Sequence, residues 1–154
     1  MKGLKINKIV CLIICTLMII VNLLIDHFYA PTGIDFTPLV VIITAALLSI
    51  TNVKFNIWLR IVFIYVLIGI NDIGIKLYGG GVHDFEGQGF VAMFLMIGLI
   101  PAFLIISITV FVDKGLSILT KILSLIMFLV LIGLHSYMTK NVGIGRSYPI
   151  YQLP

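Results

Sequence analysis

Charge is scarce in this chain: ten Lys and Arg and six Asp and Glu stand among 154 residues, 10% in all. With 61% hydrophobic residues and a mean hydropathy of +1.24, that scarcity excludes a water-soluble domain. No polar stretch is long enough for a separate soluble unit, so 1–154 reads as a single transmembrane helical domain. Basic residues with interleaved aromatics are missing. The net charge of +4 is dispersed over the ends of apolar runs, and no nucleic-acid partner is expected. There is no internal repeat and no midplane charge, the two features on which transporters commonly build a site. Cysteine is limited to Cys11 and Cys15. Four apart on one helix, they point in parallel and make poor disulfide partners, so they read as small apolar packing residues. Signatures such as His-Glu-x-x-His are absent, as is any complete catalytic constellation.

What remains is a series of apolar runs at 8–28, 37–51, 56–77, 89–112 and 116–138. They predict an all-α polytopic membrane protein, a bundle of five transmembrane helices. In the second run, Thr37-Pro38 has the form of an N-cap followed by proline at the first helical position. A helix starting there is about 15 residues, roughly 22 Å, short for a hydrocarbon core of about 30 Å. The alternative is therefore four spans plus one re-entrant segment. The first run is expected to be a retained helix rather than a cleaved leader, because bulky Phe28 stands where cleavage needs a small residue and Pro31 follows the one plausible cut.

Five spans with a cytoplasmic N-terminus place Lys2, Lys5, Lys8, Lys54, Arg60, Lys114 and Lys121 inside and only Lys76, Lys140 and Arg146 outside. The expected location is a cell membrane of the bacterial inner or plasma type. Under this topology His27, His83 and His135 share the outer boundary with Asp26, Asp35, Asp72, Asp84 and Glu86, whereas Asp113 falls inside. Ionisable groups in or beside apolar spans are costly and mark candidate sites.

Two elements focus those groups. Tyr65, Gly69, Asp72 and Lys76 follow 4, 3, 4 spacing and share one face of the third helix, with Asp72 and Lys76 also forming an i, i+4 acid–base pair. His135 lies about one turn inside the end of the fifth helix, on a face with Ser124 and Phe128, so it is expected to meet Asp72 across the bundle. The second element is a glycine-rich outer loop, 78–88, with Gly79-Gly80-Gly81 and the run His83-Asp84-Phe85-Glu86. Its glycines permit tight reversal or positive φ, and its exposed amides suit an anion. Phe85 is expected to fold inward as a lid that carries His83 and Glu86 toward Asp72 and His135.

Asp72, His83, Glu86 and His135 are thus the candidate catalytic residues. A divalent metal such as Zn or Mn is the implied cofactor, with His83, Asp84, Glu86, Asp72 and His135 as its candidate ligands. Pro101 is expected to bend the fourth helix, and Gly98 with Ala102 offers a face for close helix approach. The tail, 139–154, is expected at the outer interface. Three functions fit: a membrane binding or accessory protein with lipid, protein or homo-oligomeric partners; a metal-dependent enzyme acting on a lipid-borne substrate; and a transporter or channel protomer.

Overall fold

Helix α1 (Lys8–Tyr29) displays the rule by which this chain folds. Cys11, Cys15, Ile19, Asn22 and Asp26 recur at 4, 4, 3, 4 spacing and are buried, while Ile9, Ile13, Leu17, Leu24 and Phe28 point outward. Small and polar groups face in and bulky apolar groups face out, the reverse of a water-soluble amphipathic helix and the pattern expected where lipid is the solvent.

The computed structural model describes residues 8–50, 56–82, 84–145 and 147–148. After α1 come α2 (Thr32–Ile50), α3 (Ile57–Tyr78), α4 (Phe85–Val112) and α5 (Ile118–Thr139), with two short strands, β1 (Gly81–Val82) and β2 (Ser147–Tyr148). All five helices are long and apolar enough to cross a membrane, which fits a multi-pass membrane protein. Helix α3 is central and packs on each of the other four, whereas α5 lies mainly along α3 with a smaller contact to α4.

Two helix starts differ from expectation. Helix α2 begins at Thr32, so Thr37 is an interior residue whose hydroxyl donates to Gly33 O at 3.0 Å. Its first turn is closed locally by Ile34 N donating to Pro31 O at 2.9 Å, and its side-chain cap comes from α1, where the Asp26 carboxylate accepts from the same amide at 3.2 Å. The 19 residues of α2 rise about 28 Å, enough to cross, and the argument for a re-entrant segment from shortness falls away.

Helix α4 begins at Phe85 and absorbs residues 85–88 of the expected loop, because Asp84 caps it by accepting from Gly87 N at 2.7 Å. Phe85 is 79% exposed and is not an inward lid. Helix α4 continues through Pro101. Gly98 and Ala102 are buried at the α2–α4 contact, the most extensive in the bundle, where Gly98 lies against Pro38 and Val41. Helix α5 starts at Ile118, capped by Ser117, and stacks Phe128 on Phe103 of α4 at 6.3 Å between ring centroids.

Candidate functional site

The 4, 3, 4 face of α3 and the His135 face of α5 meet near the end of the bundle formed by the α3–α4 connection and the tail. Asp72 Oδ2 lies 2.7 Å from Lys76 Nζ and 2.9 Å from His135 Nε2, so the expected Asp72–His135 contact is present alongside the Asp72–Lys76 pair. A ring nitrogen facing a carboxylate carries the hydrogen, so Nε2–H donates and Nδ1 is oriented toward Gly69.

Space for the imidazole comes from Gly69: a Cβ there would stand 3.2 Å from His135 Cε1. Tyr65 completes the wall edge-to-face, with ring centroids 5.9 Å apart. Thr139, one turn beyond His135, adds the fourth member. Lys76 Nζ donates to Thr139 Oγ1 at 3.0 Å, and that hydroxyl reaches His135 O at 2.9 Å and, at a longer 3.4 Å, Asp72 Oδ2. Three side chains thus converge on one carboxylate oxygen, while Asp72 Oδ1 is buried without a hydrogen-bond partner. Relative exposures of 1% for Asp72, 4% for Lys76, 5% for His135 and 6% for Thr139 mark the cluster as closed.

A second polar network lies on another side of α3, as successive helical residues about 100° apart require. Asn22 Nδ2 of α1 donates to Asn71 Oδ1 at 3.0 Å, and Asn71 Nδ2 reaches Thr37 Oγ1 of α2 at 3.5 Å. Asp26 is buried beside it, with Gly33 so close that an added Cβ would overlap Asp26 Cβ. These contacts tie α1, α2 and α3 together.

The glycine-rich turn has a different use from the anion nest or positive-φ reversal that its composition suggests. Gly79 N donates to Ile75 O and Gly80 N to Asp26 O, each at 3.0 Å, so neither amide is open to a ligand. Gly80 lies against the end of α1, where a Cβ would be 2.8 Å from His27 O. Positive φ occurs instead in the tail, at Gly143 and Gly145 among the described residues. His27 Nδ1 bonds Tyr78 O at 2.8 Å and its ring meets Phe28 edge-on, which ties α1 to the end of α3.

The tail folds across the same end. Gln88 of α4 donates from Nε2 to Val142 O at 2.7 Å, and β2 pairs antiparallel with β1, Gly81 opposite Tyr148 and Val82 opposite Ser147. Gly143, at φ +86°, rests against the carbonyl of Lys76, where any Cβ would overlap the oxygen.

Of the five residues expected to share a metal, Asp72 and His135 come together. Asp84 and Glu86 are exposed at the start of α4, Asp84 being engaged as its cap, and His83 lies outside the described residues. Among the described residues no group of three or more His, Cys, Asp or Glu is placed to hold a metal ion. An ammonium group, Lys76, stands where a cation would balance Asp72. Cys11 and Cys15 are fully buried and form no disulfide. The members that spacing left unassigned are Thr139 and Gln88. Thr139 was legible as the i+4 neighbour of His135, whereas Gln88 depends on where the tail lands. Comparison with protein-family models, with curated proteins and with solved structures finds no match to this chain.

Proposed function

We propose that this is a small multi-pass membrane protein of the binding or accessory kind, with its N-terminus cytoplasmic and the Asp72–Lys76–His135–Thr139 cluster toward the extracytoplasmic face. The observation that carries this reading is the closure of the cluster. Lys76, His135 and Thr139 are directed at one oxygen of Asp72 within the protein, and their task is to hold α5 on α3 rather than to meet a substrate. What α5 leaves outward supports a partner. Only Ser124, Leu125, Phe128, His135 and Thr139 of its 22 residues are buried, whereas eleven of the 22 in α3 are. The remaining surface, Ile122, Ile126, Leu129, Val130 and Leu134 among it, is apolar and exposed, suited to lipid and to another apolar helix.

A photo-activatable residue at Leu129 or Leu134, irradiated in native membranes, will give discrete protein adducts, with a second copy or with another membrane protein. Adducts with lipid alone at both positions would refute the accessory reading. Stoichiometric Zn or Mn in protein purified without chelator, lost on Asp72→Asn, would favour the enzyme instead.

Orientation has its own check. The retention of positive loops on the cytoplasmic side supports placing Lys114 and Lys121 inside. Cysteine at Glu86 will react with a membrane-impermeant thiol reagent in intact cells, and cysteine at Lys114 only after permeabilisation. Both sites are exposed, and the native thiols are buried and add little background. Labelling in the opposite order reverses the assignment.

A further inference from the structure

From the way the tail is fastened, we infer that residues 140–145 with β2 form a displaceable strap that controls aqueous access to the Asp72–Lys76–His135 cluster. The inference concerns the cluster's surroundings and holds whether or not α5 has a protein partner. Its first support is position. Gly143 sits on the backbone carbonyl of Lys76 itself, and Val142 is held by Gln88 of α4, so the strap crosses the end of α3 at the residue that carries the buried ammonium.

The second support is the contrast between the strap and what it covers. No residue from Lys140 to Gly145 is fully buried, and Lys140, Asn141 and Gly145 are exposed, whereas each cluster side chain beneath is almost inaccessible. Among the described residues the fastenings are a two-residue ladder, the Gln88 bond and a turn bond from Val142 N to Thr139 O at 3.1 Å. Segments held by few buried contacts open at far lower free energy than the core they cover.

A third observation links the strap to the cluster mechanically. Lys140, the C-cap of α5, follows Thr139 directly, and Thr139, with Asp72, accepts from Lys76. Lifting the strap therefore pulls on a member of the cluster without any intervening linker. Water admitted to the cluster gives a partner to Asp72 Oδ1, which is buried without a hydrogen bond, so hydration offsets part of the cost of opening.

The test uses the full chain with Cys11 and Cys15 replaced by alanine and a single cysteine at Thr139, close in size to the native residue. Two variants loosen the strap in different ways: Gln88→Ala removes its side-chain bond, and Gly143→Val places a branched side chain against the Lys76 carbonyl and at unfavourable φ. A small water-soluble thiosulfonate reports access to residue 139, and amide exchange at 81–82 and 147–148 reports the strap.

Thiol labelling will be slow in the parent and about tenfold faster in either variant, the factor associated with loss of roughly one net hydrogen bond. Strand exchange will rise with it, while a control cysteine at exposed Gly89 labels at an unchanged rate. Faster strand exchange with unchanged labelling at 139 would overturn the inference, since burial would then owe nothing to the strap. Unchanged exchange in both variants would overturn it too, because a strap that tolerates both changes is not seated by these contacts.

Discussion

Replacing Asp72 with alanine will cost the protein about 3–5 kcal/mol of stability, the range seen when one partner of a buried ion pair is removed. The carboxylate accepts from Lys76, His135 and, more distantly, Thr139. Its loss leaves an ammonium that is 4% exposed without a counter-charge. Lys76→Met will be milder, because Asp72 keeps the hydrogen bond from His135 and the longer one from Thr139, and no buried ammonium is left behind. Combining Asp72→Leu with Lys76→Met will recover most of the loss, since apolar replacement of both charges removes the desolvation penalty along with the attraction. Denaturant unfolding in mixed micelles, followed by helical circular dichroism, separates the three variants. An Asp72→Ala protein within about 1 kcal/mol of the parent would mean that water or lipid headgroups already solvate Lys76, and the description of the cluster as closed would fail.

Gly98→Val will be the other severe change, with a loss of about 3 kcal/mol, at the upper end for overpacking. A Cβ at 98 would lie 2.8 Å from Pro38 Cα and 2.9 Å from Val41 Cβ. The first neighbour is backbone, so relief requires α2 to move as a body away from α4 rather than one side chain to turn. Gly133→Ala is the matched control. Nothing lies within 4 Å of a Cβ at that position, so this change will be neutral or will stabilise α5 by up to about 1 kcal/mol through helix propensity. Equal losses at 98 and 133 would show that close α2–α4 packing does not set stability.

The parts of the fold legible in the sequence are those written in spacing along one helix. The apolar runs mark five helices, the 4, 3, 4 face of α3 brings Asp72 toward α5, and Gly98 with Ala102 marks a close helix approach whose partner, α2, only the structure supplies. Features written across helices were hidden. Thr37-Pro38 has the local form of a helix start, yet α2 begins earlier because a carboxylate from α1, Asp26, caps Ile34. Gly87 and Gly89 disfavour helix locally, which obscures the cap that Asp84 supplies, and an apolar Phe85 beside charged residues suggests an inward side chain where the structure has an exposed one. Likewise the triple glycine looks like a flexible hinge, but at Gly80 it is a fit against the end of α1. The tail's pairing with β1 leaves almost no trace in periodicity, because two residues are too few to show alternation.

The separation along the chain of the groups in the cluster has a consequence for biogenesis under the proposed membrane-spanning reading. His135 and Thr139 follow Asp72 by 63 and 67 residues, so an α3 inserted during synthesis enters the bilayer ahead of both partners. A lone aspartate or lysine near the centre of an inserting helix costs about 2.5–3.5 kcal/mol in translocon-mediated insertion, and less toward its ends. Lys76, one turn from Asp72 on the same helix, travels with it and neutralises it from the start. The nascent α3 therefore carries its own counter-ion into the membrane, and the arrival of α5 exchanges a provisional pair for the finished cluster. On this view Lys76→Met, though the milder change in the folded protein, will be the harsher one during synthesis, lowering the yield of inserted chains by more than its effect on unfolding accounts for.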